Sequence, residues 1–151
     1  MSDLAIRVLE STDLPIAREL FEMWRREDGV AASPASDETL LRLLARDDFH
    51  VVAALCDDTV VGGLTAYELV MYTEDATELF IYEVGVQEAH RRQGVGRALI
   101  EFARELCRSR SLSVLYVPAF SHDAQAVAFY EATGLKREDV AWFSEEFQHS
   151  P

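Results

Sequence analysis

The chain is poor in cysteine. Its 151 residues hold two, Cys56 and Cys107, with no CxxC and no ligand-like spacing, which excludes a disulfide scaffold. Two free thiols suit a reducing compartment, and the cytoplasm is the expected location. Basic charge is scarce as well: 14 Lys and Arg stand against 27 Asp and Glu, a formal net charge of −13. The basic patches that nucleic acid requires are therefore not expected, whereas an acidic field favours a cationic partner. No apolar run approaches the roughly twenty residues of a membrane span. The first ten residues, MSDLAIRVLE, have no basic segment ahead of an apolar one, so no secretory signal is expected. No repeat or low-complexity tract appears. The one linker-like stretch, GVAASPAS from Gly29 to Ser36, is short enough to join two helices rather than two domains.

What is there suffices for a single domain over residues 1–151, with 49% hydrophobic and 10% aromatic residues to build its core. LAIRVLE reads as a strand, because Ile6 and Val8 alternate with charged neighbours. Thr12 or Asp13 can cap a helix that tolerates Pro15 in its first turn and carries Leu14, Ala17, Leu20, Phe21 and Trp24 at helical spacing. Ser36 caps a second helix with Leu40, Leu41 and Leu44 on its apolar face. HVVAALC and VVGGLTAYELVM form a hairpin around Asp57, Asp58 and Thr59, and Gly62 and Gly63 mark a bulge or a close backbone approach. TELFIYEVGV is a strand, Val95–Arg110 a helix, LSVLYVP a strand. Asp123 caps a last helix through Glu131, which Gly134 ends, and DVAWFSEEF reads as a final strand. The order is β-α-α-β-β-β-α-β-α-β: a mixed α/β domain, antiparallel in its first half, with a strand–helix–strand crossover that makes its two strands parallel.

The joint of that crossover is HRRQGVGRAL, His90 to Leu99. The N–H groups of a helix's first turn point back toward the preceding loop and, with the dipole, attract an anion. Gly94 and Gly96 let a phosphate approach the backbone, and Arg91, Arg92 and Arg97 can add charge-assisted contacts. The loop can thus cradle a phosphate or pyrophosphate. It is not a P-loop, which would end in lysine. Nor is it a dinucleotide fingerprint, since GVGRAL lacks the third glycine.

Arg91-x-x-Gly94-x-Gly96 resembles the (Q/R)-x-x-G-x-(G/A) signature that follows the fourth strand of the GNAT family of N-acetyltransferases. DAQAVAFYEATGL, Asp123 to Leu135, resembles that family's N-x-x-A-x-x-F-Y-x-x-x-G-F motif, with Asp123 in place of Asn and Leu135 in place of Phe. The resemblance implies a mostly antiparallel mixed sheet flanked by helices, with the parallel fourth and fifth strands splayed apart, and acetyl-CoA as co-substrate. It implies that the amides of Gln93, Gly94, Val95, Gly96, Arg97 and Ala98 hold the pyrophosphate. The backbone of Val84 and Val86 would pair with the pantetheine arm, the Val84 amide lying near the thioester oxygen. An attacking amine must lose its proton, and Glu83, in an apolar strand where burial raises a carboxyl's pKa, is the candidate base or ammonium anchor. Tyr130 matches the tyrosine that protonates the leaving thiolate.

Within the family, FIYEVGVQEAHRRQGVGRALI and YVPAFSHDAQAVAFYEATG resemble the type I aminoglycoside 3-N-acetyltransferases, which implies a cationic small-molecule amine as acceptor. Those proteins have further acids where this chain has Phe120 and Ala124. Glu83, Asp123 and Glu146 remain as candidate ammonium ligands. Alternative acceptors are a polyamine, an amino-sugar metabolite or a protein amine, and the non-enzymatic alternative is a module that only binds acetyl-CoA. His90 adjoins the loop, His122 precedes the last helix, and His50 and His149 look structural or exposed. No metal is expected. Fold analogy and the apolar tail AWFSEEF favour a homodimer.

Overall fold

The computed structural model describes residues 3–30 and 34–149. Ala31, Ala32 and Ser33 of the linker-like stretch lie outside the described residues. The chain forms two compact units, Met1–Pro118 and Ala119–Pro151.

In the first unit β1 (Leu4–Val8) leads through a 3-10 turn at Ser11–Asp13 into α1 (Leu14–Asp28). Pro15 sits in the first turn of α1, where no intrahelical N–H is needed. Gly29 ends the helix at φ 66°. Helix α2 (Asp37–Leu44) opens on Ser36, whose side chain accepts from the Thr39 amide at 3.2 Å. Strands β2 (Phe49–Cys56) and β3 (Thr59–Val70) follow. Their two-residue turn, Asp57–Asp58, has φ of 49° and 66°, the pair of positive values that matches the twist of a hairpin. Strand β4 (Thr77–Val86) precedes α3 (Val95–Arg110) and β5 (Val114–Tyr116).

The five strands lie in chain order, β1-β2-β3-β4-β5. The first four pair antiparallel, and β5 lies parallel to β4, as the α3 crossover requires. Leu20, Met23 and Trp24 of α1 pack with Val51, Ala53 and Leu55 on one face of β2. The alternate residues Val52 and Ala54 are equally buried, so this central strand is covered on both faces. Helix α3 buries Leu99, Ile100 and Ala103 and packs along the sheet.

Two irregularities matter for function. Ala54 opposes Gly62 while Leu55 opposes Val60, so Val61 is an extra residue in β3. Gly62 and Gly63 are also a close approach: a Cβ on Gly62 would stand 2.9 Å from the Gly85 carbonyl oxygen, and one on Gly63 would meet Leu20 at 2.6 Å. Further on, Thr65 opposes Glu83 while Ala66 opposes Ile81, which makes Tyr82 the extra residue of β4.

The second unit holds α4 (Ala124–Ala132). Asp123 caps it by accepting from the Ala126 amide at 3.1 Å, and Gly134 follows its end at φ 89°. The expected final strand over DVAWFSEEF is not formed. Residues 136–149 carry no helix or strand. The β-forming residues there favour extended backbone, but a strand also needs a neighbour to complete its ladder.

Candidate active site

The parallel ladder between β4 and β5 is short: it runs from Glu78 opposite Val114 to Phe80 opposite Tyr116. Strand β4 continues to Val86, so from Ile81 onward its β5-side edge is unladdered among the described residues. The Tyr82 bulge falls where this edge opens. A bulge adds one residue and re-aims the side chains beyond it; the first of these is Glu83.

Glu83 is half-buried, and its carboxyl is held above the usual carboxylate range. Burial is the main cause, and the charge of Asp28 adds to it. Asp28 is the last residue of α1. One turn earlier, Trp24 donates from Nε1 to the Gly85 carbonyl oxygen at 3.3 Å. A Cβ on Gly85 would run into that indole, so glycine here permits the contact between helix and strand. Glu27 accepts from the Glu88 amide at 2.9 Å and from Arg91 Nη2 at 3.0 Å.

After β4 the chain makes a 3-10 turn at Glu88–His90 and reaches α3 through Arg92, at φ 62°, and Gly94, at φ 86°. The space a Cβ would fill at Gly94 is open. Ala98 donates its amide to the Gly94 carbonyl at 3.0 Å, the first bond of the helix ladder, so Ala98 is not a free donor for pyrophosphate as the sequence had suggested. The amides of Val95 and Gly96 ahead of it belong to the first turn, where a helix's own ladder supplies no acceptor. Arg91 Nε donates to the Val86 carbonyl at 3.0 Å. Arg92 and Gln93 are exposed, and Gln93 reaches back to the Ala89 carbonyl at 3.4 Å. His90 Nδ1 lies 2.9 Å from Gln87 Oε1.

In the second unit Tyr130 is half-buried on α4 and packs edge-on against Phe129, their ring centroids 5.1 Å apart. Asp123 is the helix cap described above, Glu146 is exposed, and His122 stacks on Phe120 with 5.5 Å between centroids. His50 is buried against Glu68, away from the loop. The Cys107 thiol is half-buried, and burial pushes its pKa up. Among the described residues no group of three or more His, Cys, Asp or Glu could hold a metal ion, and no helix is long and apolar enough to cross a membrane.

Trp24 reads from the sequence only as a core residue of its helix, and no motif marks Glu27 or Asp28 as neighbours of the site. One signal was available. A helix C-terminus favours cations, yet the last two residues of α1 are acidic.

A mixed sheet whose parallel pairing stops beside a glycine-led helix is an arrangement that an acetyl-group transferase can use. Residues 17–135 match the family described as Acetyltransferase (GNAT) family, and the chain belongs to it. The family's co-substrate is acetyl-CoA. The open β4 edge and the uncovered Gly94 fit such a molecule: one is an unpaired strand edge for an extended arm, the other a bare backbone for a pyrophosphate. An aminoglycoside acetyltransferase from an uncultured soil metagenomic sample, meta-AAC0020 in complex with trehalose, is similar at a TM-score of 0.93 and 29% identity, over 96% of this chain and 97% of that one; the same protein is also known in complex with sisomicin. A second soil aminoglycoside acetyltransferase, HMB0005, is 32% identical at a TM-score of 0.87, over 97% of this chain and 99% of that one. The [ribosomal protein bS18]-alanine N-acetyltransferase of Escherichia coli (strain K12) is 27% identical over 135 residues, 89% of this chain and 82% of that protein.

Proposed function

We propose that this N-acetyltransferase moves the acetyl group of acetyl-CoA to an amine of a polycationic small molecule, an aminoglycoside acetylated at its 3-amino group. The observation that carries this reading is Glu83: a half-buried carboxyl with a raised pKa, at the point where β4 leaves its parallel partner. A base of that kind is matched to an ammonium group that must become a neutral nucleophile. The amine then attacks the thioester carbon, the C–S bond breaks, and the thiolate takes up a proton. Tyr130 is assigned as donor of that proton on its motif alone. The Val84 amide is assigned to the thioester oxygen, and Val84 and Val86 to the extended arm. Arg92, Arg97 and the amides of Gln93, Gly94, Val95, Gly96 and Arg97 are assigned to the pyrophosphate. Asp28 joins Glu83, Asp123 and Glu146 as a candidate for the acceptor's ammonium groups. The aminoglycoside acetyltransferases among its structural relatives support the acceptor class. The free thiols suit a cytoplasmic enzyme.

The test is release of CoA thiol from acetyl-CoA with a panel of aminoglycosides, polyamines and an N-terminal alanine peptide. Turnover on aminoglycosides, lost when the 3-amino group is blocked, is the expected result. Preference for the peptide would favour the second reading, a protein N-terminal acetyltransferase, which the similarity to the bS18-alanine enzyme supports.

We also propose a homodimer built through the tail. Val140, Trp142, Phe143 and Phe147, close together in the sequence, are 81%, 65%, 89% and 72% exposed; large apolar side chains of this kind favour an interface, and a second copy supplies cover of the right kind. Sedimentation should find a dimer that Phe143→Asp converts to monomer; a wild-type monomer at all concentrations would remove the proposal.

A further inference from the structure

We infer that Glu27 is a positioning residue for the loop between β4 and α3, and that Arg91 acts through Glu27 rather than on phosphate. The inference rests on the acetyl-CoA reading above and assigns that site's second layer.

The loop does not hold its own shape. Arg92 occupies the left-handed region at φ 62°, which is strained for a side-chain-bearing residue, and Gly94 follows at φ 86°. Something outside the loop must stabilise it, and α1 does so. One oxygen of Glu27 accepts the Glu88 amide at 2.9 Å and the other accepts Arg91 Nη2 at 3.0 Å. A single carboxylate thus grips both ends of the 3-10 turn. Arg91 carries the restraint onward, since its Nε donates to the Val86 carbonyl at 3.0 Å and its amide to the Glu88 carbonyl at 3.2 Å. The side chains of Glu27 and Arg91 are 25% and 45% exposed, so the ion pair alone contributes little; the restraint comes from the set of bonds that Glu27 and Arg91 make to the turn together.

Two consequences follow. The charge of Arg91 is compensated by Glu27, so its pull on an anion is weakened, while Arg92 stays exposed. The same helical turn also carries Asp28 beside Glu83 and Trp24 on Gly85. Helix α1 therefore sets the loop and the base from one rigid element.

A double-mutant cycle tests this. Glu27→Ala should weaken acetyl-CoA binding about tenfold by calorimetry, raising its KM with kcat nearly unchanged. Arg91→Ala should cost about as much, and the double variant little more than either single one. Removing Arg92 should flatten the salt dependence of acetyl-CoA affinity, and removing Arg91 should leave it as it was. In the ligand-free protein, Glu27→Ala should speed amide exchange over residues 88–94 and leave β2 and β3 unchanged; Glu27→Gln, which keeps the shape, serves if the alanine variant folds poorly. Full additivity in the cycle, or unaltered loop exchange, would overturn the inference. If the wild type bound no acetyl-CoA, the functional reading would fail, and the exchange measurement on the ligand-free protein would still decide the role of Glu27.

Discussion

Glu83 illustrates how one side chain's environment sets both a rate and a stability. Burial first, and the Asp28 charge second, hold its carboxyl above the usual range. A base works only when ionised, so the acid limb of kcat/KM should titrate at that raised value. Asp28→Asn removes a like charge, favours ionised Glu83 and should move the limb to lower pH; a limb that stays in place would separate the two groups functionally. Glu83→Gln should lower kcat about a hundredfold or more. Its effect on folding has the opposite sense. A carboxyl whose folded pKa lies above its unfolded one binds its proton more tightly in the folded state, so stability falls as pH rises through the interval between the two. The glutamine variant should therefore melt above wild type at neutral pH and lose that advantage below the carboxylate range. Equal melting points at neutral pH would mean that Glu83 is not desolvated in solution.

At the level of elements, β2, β3 and α3 are tied at the end of the sheet away from the loop. His50 of β2 meets Glu68 of β3 at 2.5 Å, and Arg110, the last residue of α3, donates to the same Glu68 oxygen at 2.7 Å. Burial alone would raise the Glu68 carboxyl, but the hydrogen bonds from Arg110 and His50 outweigh it and hold the pKa below the ordinary value. A depressed carboxyl contributes stability above its unfolded pKa and loses it as pH falls through the folded one. Glu68→Gln should cost about 2 kcal/mol at neutral pH, measured by urea unfolding, and the gap should close under acid conditions. A gap independent of pH would make packing rather than charge the cause. The lengths of β4 and α3 were legible in the sequence because each has a clear period and a turn or cap at its ends. Glu83 was legible as a carboxyl in an apolar strand, and the loop as two glycines before a helix. The bulge at Tyr82 was not, because an extra residue is defined only against the partner strand, here Thr65 and Ala66 of β3. Glu27 was hidden because its bonding partners lie 61 and 64 positions away. The tail misled in the other direction: its residues favour extended backbone, but nothing local tells whether a partner strand is present.

On the scale of the whole chain, the net charge of −13 acts differently on two substrates of opposite sign. A polycationic acceptor is attracted from a distance, whereas acetyl-CoA, an anion, meets a repulsive field until it reaches the arginines and amides of its loop. Salt screens the distant field first: the Debye length falls from about 30 Å at about 0.01 M to about 3 Å at about 1 M. Raising ionic strength across this range should lower kcat/KM for an aminoglycoside or polyamine several-fold. It should leave kcat/KM for acetyl-CoA level or slightly raised, because the lost repulsion offsets the weakened contacts at Arg92 and Arg97. A peptide with a single amine should respond weakly. Steady-state kinetics with each substrate varied in turn would measure both dependences on one preparation. A flat acceptor response would mean that the acidic charge serves solubility alone and that the acceptor is not a polycation. A steep fall for the acceptor with a level response for acetyl-CoA would show that the composition is matched to the acceptor, and would weigh against the N-terminal peptide reading independently of which compound in the panel turns over fastest.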